Sequence, residues 1–354
     1  MSAKRSTQKN SAGMSEMCEQ TQKGGITLVL GAGVSIPCGI PNWDALARNV
    51  WKVVFGRRKS PWDVPAESQS PREVPQFLPM VFELAYRELG EERFFEVLRE
   101  CIYKKAKFPG NDPNFIHSSE SLAVLARGIV QEYKRKTQSR IESIITLNAD
   151  DLIEQAVFCV ADAANESRQL SILRAIARPT HTYMNKLSPH PIPVYHIHGF
   201  LPSGQLKVFG SHFEHMLVFT DAQYWSTSAS ALTFANRVMA SALSEGRCIF
   251  IGLSMTDINL LRWLALRTLE KDRDYAEAMR QYQQPAGEPI HFFDSLMRHG
   301  FHRHFWVRTK SADPTGFLSE FLDLRGVRAV EIENWTGDSF QKLMTKCFPP
   351  DESG

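Results

Sequence analysis

The stretch 26-ITLVLGAGVSIPCGIPNW-43 constrains the fold more than any other part of the chain. Ile26, Leu28, Val29 and Leu30 make an apolar run of strand length. It leads directly into Gly31-Ala32-Gly33, where two residues without Cβ atoms let backbone approach a neighbour or a ligand closely. A helix is expected next: Asn42 is placed to cap it, and Trp43, Leu46, Ala47 and Val50 recur at three- to four-residue spacing. A buried strand, a glycine turn and a nearby helix aim free backbone N–H groups at a point where a nucleotide's phosphates would sit. The turn lacks the third glycine of the G-x-G-x-x-G fingerprint, because position 36 is Ile, so no acidic ribose-binding residue follows from it.

Five further segments read as buried strands: 143-SIITLN-148, 193-PVYHIHG-199, 248-CIFIGLS-254, 303-RHFWVRT-309 and 327-VRAVEIE-333. Each is short, rich in β-branched or aromatic residues, and bounded by turn-forming or charged ones. Helical spacing occupies 76–103 (broken near Pro79 and Gly90), 119–136 and 229–246. Strands alternating with helices predict an α/β fold: a Rossmann-like, doubly wound, mostly parallel sheet. A helical subdomain over about 76–136 is inserted after the first strand–helix unit. The proline-rich stretch 60–75 and the aperiodic stretch 202–216 are expected to be loops, the second long enough to cover a site. The stretch 272–289 starts helical and ends in a Pro/Gly loop, and there is no internal repeat.

Charge excludes some partners. The chain has 41 basic and 39 acidic residues, a net charge of +2, which gives no electrostatic case for binding nucleic acid or a membrane surface. The basic runs Arg57-Arg58-Lys59 and Lys134-Arg135-Lys136 read as solvated faces. The longest apolar runs are strand-sized, so no transmembrane helix is expected. Residues 1–24 are rich in Ser, Lys, Gln and Thr and are expected to be a disordered tail, not a secretory signal. Residues 25–348 then form one domain, 349–354 are a second tail, and the protein is cytoplasmic. None of the six cysteines is in a C-x-x-C spacing, which argues against a structural zinc site; Cys38, Cys159 and Cys248 read as buried, reduced thiols.

In an open α/β sheet, ligands bind at the carboxyl ends of the strands. Here those ends carry Gly31-Ala32-Gly33, then 146-TLNADDLIE-154, 196-HIHG-199 and 252-GLSMTDIN-259. His196 and His198 share a strand face, but no clustered Cys or carboxylate partner accompanies them, and no metal is expected. Asp151 is placed to cap the helix that starts at Leu152. Asp257 is placed either to cap the helix from Ile258 or to contact a ribose.

Taken in order, Gly31-Ala32-Gly33-Val34-Ser35, Gly39-Ile40-Pro41, Thr146-x-Asn148-x-Asp150, His198-Gly199 and Gly252-x-Ser254 resemble the motifs of the sirtuin family, over roughly residues 25–345. Protein deacylases of that family carry two C-x-x-C zinc pairs and continue the Gly-Ile-Pro motif with Asp-Phe-Arg. This chain has no such pairs and reads Asn42-Trp43-Asp44. In these departures, and in 146–154 and 251–260, it is similar to the zinc-less, Sir2-like domains of bacterial antiphage systems. The resemblance implies an NAD-binding domain and an NAD glycohydrolase. Such an enzyme splits NAD, its substrate, into nicotinamide and ADP-ribose and depletes the cell of it in abortive infection; no zinc is implied.

Position by position, the resemblance implies that Asn148 orients the attacking water or the ribose hydroxyls and that Asp150 holds the nicotinamide ribose end. His198 would contact ribose hydroxyls and act as general base, for which a pKa of about 6.5 is suited. Gly31, Ala32, Gly33, Ser35, Gly252 and Ser254 would hold the phosphates and adenosine ribose, with Asp257 as a further contact. Pro41, Asn42 and Trp43 would close over the nicotinamide side. The alternatives are a non-catalytic module sensing NAD or ADP-ribose, and an NAD-dependent deacylase or ADP-ribosyltransferase; NAD and NADP are both open as substrate. Since such an enzyme has to be held in check, control is expected from homo-oligomerisation, with the region 76–136 as assembly surface, or from a HerA-type ATPase or short Argonaute partner. The sequence also allows one domain cut from a longer protein.

Overall fold

The fold is given by a computed structural model that describes residues 2–56, 58–62, 78–135, 138–164, 172–178, 191–206, 217–281 and 304–350. Seven strands form one sheet: β1 (Ile26–Leu30), β2 (Ile141–Thr146), β3 (Leu173–Ile176), β4 (Ile192–His196), β5 (Arg247–Ile251), β6 (His304–Thr309) and β7 (Val327–Ile332). Their order is β3-β4-β2-β1-β5-β6-β7, and every neighbouring pair is parallel. The chain moves outward from β1 through β2 to β3 and β4, then returns to lay β5 on the other side of β1. That reversal makes the carboxyl end of β1 a topological switch point, where α/β sheets open a crevice.

Helices cover both faces. One layer holds α1 (Ser2–Gln22), α2 (Trp43–Phe55), α3 (Leu78–Leu89), α4 (Glu91–Tyr103), α5 (Ser121–Tyr133), α6 (Leu152–Ala163) and α11 (Asp338–Cys347). The other holds α8 (Phe234–Glu245), α9 (Ile258–Gln281) and α10 (Phe317–Leu324); α7 (Asp221–Ala229) precedes α8 and packs on α3. The alternation of β1 explains the two cores: Ile26, Leu28 and Leu30 enter the first and Val29 the second. All five residues of β1 are buried, as expected of a central parallel strand covered on both sides. The α/β, doubly wound expectation therefore holds.

Four details differ from the sequence reading. The strand β3 has no counterpart in it, because 173-LRAI-176 is short, lies at the sheet edge and is mostly half-exposed. Pro79 breaks nothing; it sits in the first turn of α3, where its missing N–H has no intrahelical partner to lose. Gly90, at φ +74°, does separate α3 from α4.

The third difference is the tail expected at 1–24, which instead contains α1. Met14, Met17, Cys18 and Thr21 fall on one helical face and pack on β7 and α11, so a narrow stripe anchors an otherwise polar helix. Fourth, the tail expected at 349–354 is tied at its start, where the Pro349 carbonyl accepts from Arg140 at 2.9 Å; residues 351–354 lie outside the described ones. Most of the expected loops 60–75 and 202–216, and the stretch beyond Gln281, also lie outside them. Among the described residues, no helix is long and apolar enough to cross a membrane.

The Arg140 side chain organises this end of the molecule. Its guanidinium pairs with the fully buried Glu132 at the end of α5 and donates to Gln22 of α1 at 2.7 Å. The Glu132 carboxylate also accepts from the Arg140 backbone N–H at 3.0 Å. Glu132→Ala strands a buried guanidinium, a loss of about 3–5 kcal/mol. Urea unfolding should show a lower midpoint with an unchanged slope.

Candidate functional site

Strand β1 ends in two short 3-10 turns, Ala32–Val34 and Ile36–Cys38, before Gly39 takes φ +85° and Asn42 opens α2. The Asn42 side chain accepts from Ala45 N–H at 2.8 Å, the cap that the sequence suggests. The glycines interlock with the end of β5. Gly31 N–H donates to Ile251 at 3.0 Å, and Gly33 N–H to Gly252 at 2.9 Å. A Cβ on Gly33 would lie 2.8 Å from the Cα of Gly252, and one on Gly252 (φ +69°) would lie 2.7 Å from the nitrogen of Val34. The missing side chains are thus needed for the close approach of two backbone turns. The N–H groups of Gly31, Gly33, Val34 and Ser35 all serve backbone carbonyls, so the row of free donors expected here is not formed by these four.

Beside this knot lies the polar centre of the site. The Asn148 side-chain amide donates to the Gly31 carbonyl at 3.0 Å and to the Ser35 hydroxyl at 3.3 Å. Ser35 in turn donates to Asp150 Oδ1 at 3.1 Å, and the same oxygen accepts from Leu152 N–H at 3.1 Å. Asp151 holds the N-cap position of α6 as expected, but its side chain makes no capping bond, and the Asp150 carboxylate meets the first helical N–H instead. Burial pushes the Asp150 carboxyl up to about 7, aided by the charges of Asp151 and Glu154 and opposed by the Leu152 and Ser35 hydrogen bonds.

This shift has a sign that can be checked. Folded Asp150 holds its proton more tightly than an ordinary carboxyl at 3.8. It therefore contributes stability while protonated, and that contribution is lost as pH rises through about 7. Asp150→Asn should raise the melting temperature at about pH 8 relative to the parent and flatten its fall between about pH 4 and about pH 7. Thermal melts of the two proteins across this range provide the check.

Ala32, Pro41, Trp43, Asn148 and Asp150 meet around one cavity, together with Ile102 and Phe219. Trp43 belongs to an aromatic cluster with Phe82 and Phe219, at centroid distances of 5.8 and 5.1 Å. The cavity measures about 40 Å³, more than the roughly 10–15 Å³ that one water needs.

The other sequence-suggested residues sit around this centre without lining that cavity. His198 follows β4 and is buried, with the Leu147 backbone as a polar neighbour of its ring. Burial holds its pKa below the usual 6.5, partly offset by the charge of Asp257 and by the Leu147 backbone. Its ring lies 6.0 Å from that of Tyr224, whose hydroxyl donates to Asp257 in a short contact. Asp257 also accepts from Leu260 N–H at 2.9 Å, so the helix-cap alternative holds. Ser254 is exposed and bonds Thr256 at 2.8 Å. Between them Met255, buried, takes φ +57°, a left-handed conformation that a non-glycine residue adopts at a cost.

The Asp151 side chain is a structural hub and not a capping group. Its carboxylate accepts from Gln155 at 2.8 Å and from the Ser203 N–H and hydroxyl at 3.1 and 2.9 Å; the Tyr103 hydroxyl lies 3.1 Å away. It thus locks α4 and the segment after β4 to the end of β2. His196 is fully buried, pairs with Glu154 at 2.8 Å and stacks on Phe200 at 4.1 Å, which accounts for it structurally. Among the described residues, no group of three His, Cys, Asp or Glu side chains could hold a metal ion.

A wider groove of about 1400 Å³ runs between α2 and α4, and Pro41 borders both it and the small cavity. Sequence reasoning missed Tyr103, Tyr224, Ile102 and Phe219. The capping box Thr220-x-x-Gln223 reveals that a helix starts there, but nothing local marks Tyr224 as the neighbour of His198.

No curated protein matches the chain. Residues 142–289, which carry Asn148, Asp150, His198, Gly252, Ser254 and Asp257, match the family model of the SIR2-like domain, and this part of the chain is similar to such domains.

Proposed function

We propose that the protein hydrolyses NAD to nicotinamide and ADP-ribose. The observation that carries this reading is the Asn148–Ser35–Asp150 network at the switch point of the sheet, within reach of the sequence motifs that resemble a zinc-less sirtuin branch. Breaking the nicotinamide–ribose bond develops positive charge on the sugar, as in glycoside hydrolysis. The leaving group is already cationic, so the enzyme has to supply an oriented nucleophile and charge stabilisation.

Each residue then has a defined task. Asn148 spends its amide hydrogens on Gly31 and Ser35, which leaves its Oδ1 to accept from water or a ribose hydroxyl. Asp150, once ionised, places negative charge beside the developing cation. His198, kept neutral by burial, accepts the proton of the nucleophile or of a ribose hydroxyl. Control by self-assembly or by a partner, such as a HerA-type ATPase or a short Argonaute, goes with this reading. An NAD-depleting role in antiphage defence belongs to the same proposal and rests on the sequence resemblance.

The test is incubation of the purified chain with NAD and, separately, NADP, read by mass spectrometry beside His198→Ala. Nicotinamide and ADP-ribose should appear with the parent protein, and the variant should be slower by about 10²–10⁴-fold. Saturable NAD binding by calorimetry with no nicotinamide release, even with the candidate partners present, would instead favour the sensing module.

A further inference from the structure

We propose that Cys18 and Cys347 are a redox modification site, a thiol pair that small hydroperoxides convert into a disulfide fastening the first helix to the last. The two sulfurs lie 2.8 Å apart although 329 positions separate the residues in sequence. Both backbones are held in place. The Thr21 hydroxyl oxygen is 2.7 Å from the Cys18 carbonyl and 2.9 Å from that of Cys347, and Gln22 donates to the Cys347 carbonyl at 2.8 Å. A disulfide brings the sulfurs to about 2.05 Å, so the two need to approach by less than the length of one bond.

The environment distinguishes this pair from the other cysteines. Burial raises the thiols of Cys38 to about 12 and of Cys101 to about 11. Cys159 and Cys248 are raised by burial as well. These four stay protonated and unreactive. Cys18 moves the other way, because the hydrogen bond it shares with the Cys347 thiol and the positive charge of Lys346 outweigh the opposing effect of burial. Cys347 is fully buried and its thiol is raised. Cys18, the more accessible of the two, is thus the attacking thiolate, and Cys347 resolves.

With hydrogen peroxide as oxidant, the Cys18 thiolate attacks one peroxide oxygen. An S–O bond forms, the O–O bond breaks, and hydroxide leaves to become water. The Cys347 sulfur then attacks the Cys18 sulfenic acid: an S–S bond forms, the S–O bond breaks, and the departing hydroxide takes the Cys347 proton. Two thiols lose two electrons and the peroxide becomes two waters; a dithiol reverses the link. The site does not depend on the proposed reaction with NAD.

The test treats the full chain with hydrogen peroxide, digests it without reductant and maps linked peptides by mass spectrometry, beside Cys18→Ser and Cys347→Ser. The parent should lose two of its six thiols and yield a Cys18–Cys347 peptide that dithiothreitol releases. Its melting temperature should rise by about 5 °C on oxidation. Each variant should keep all its remaining thiols and show no oxidative rise. If peroxide leaves every thiol in place, or removes thiols without producing that linked peptide, the proposal is overturned; in that case the variants' unaltered melts would show that misfolding was not the cause.

Discussion

Asn148→Ala is expected to lower nicotinamide release by about 10²–10³-fold, the range for losing one pre-oriented polar group beside the reacting centre. The loss should appear in kcat more than in KM, because Asn148 Oδ1 matters when the nucleophile advances and not when the nucleotide first docks. Structure should survive. Asn148 is half-exposed, and its removal leaves the Gly31 carbonyl and the Ser35 hydroxyl near a cavity that water can enter. Circular dichroism and a thermal melt separate the two effects. An unfolded variant would show that the amide mainly braces the turn after β1, and an active one would remove Asn148 from the mechanism.

The second large effect is on stability. Gly252→Ala should cost about 3–5 kcal/mol, combining strain at φ +69° with overlap against backbone. The new Cβ would stand 2.7 Å from the Val34 nitrogen and 3.0 Å from the Gly33 carbonyl carbon, atoms that no side-chain rotation can move. Gly204→Ala is the matched control: φ is +86° there, but nothing lies within 4 Å of the added atom. It should cost only the conformational strain, about 1 kcal/mol. Unfolding midpoints of the pair isolate the clash; equal costs would show that the two turns are free to move apart.

Much of this arrangement is legible in the sequence because it is local. The apolar runs of β1, β2, β4, β5, β6 and β7 mark a sheet covered on both faces, and the polar residues at their ends mark its carboxyl edge. What is not legible depends on distant partners. The glycines of the first turn announce a close approach, but they do not say that its partner is Gly252 instead of an anion. Asp150 and Asp151 are adjacent, and the Asp151 side chain is drawn away from the helix start it precedes by Tyr103 and Ser203, 48 and 52 positions away. The helix α1 hides because Met14, Met17, Cys18 and Thr21, which pack, stand in a stretch rich in Ser, Lys, Gln and Thr.

The central place of β1 has a consequence for how the chain can be divided. The stretch similar to SIR2-like domains, 142–289, includes β2 and β5 but not the strand that lies between them. A fragment trimmed to that stretch would present two unpaired, apolar strand edges facing a gap, an arrangement prone to pair with other chains. It would also leave behind Ser35, the bridge between Asn148 and Asp150. The smallest unit able to fold and carry the site therefore begins upstream of Ile26, and sequence similarity marks only part of it.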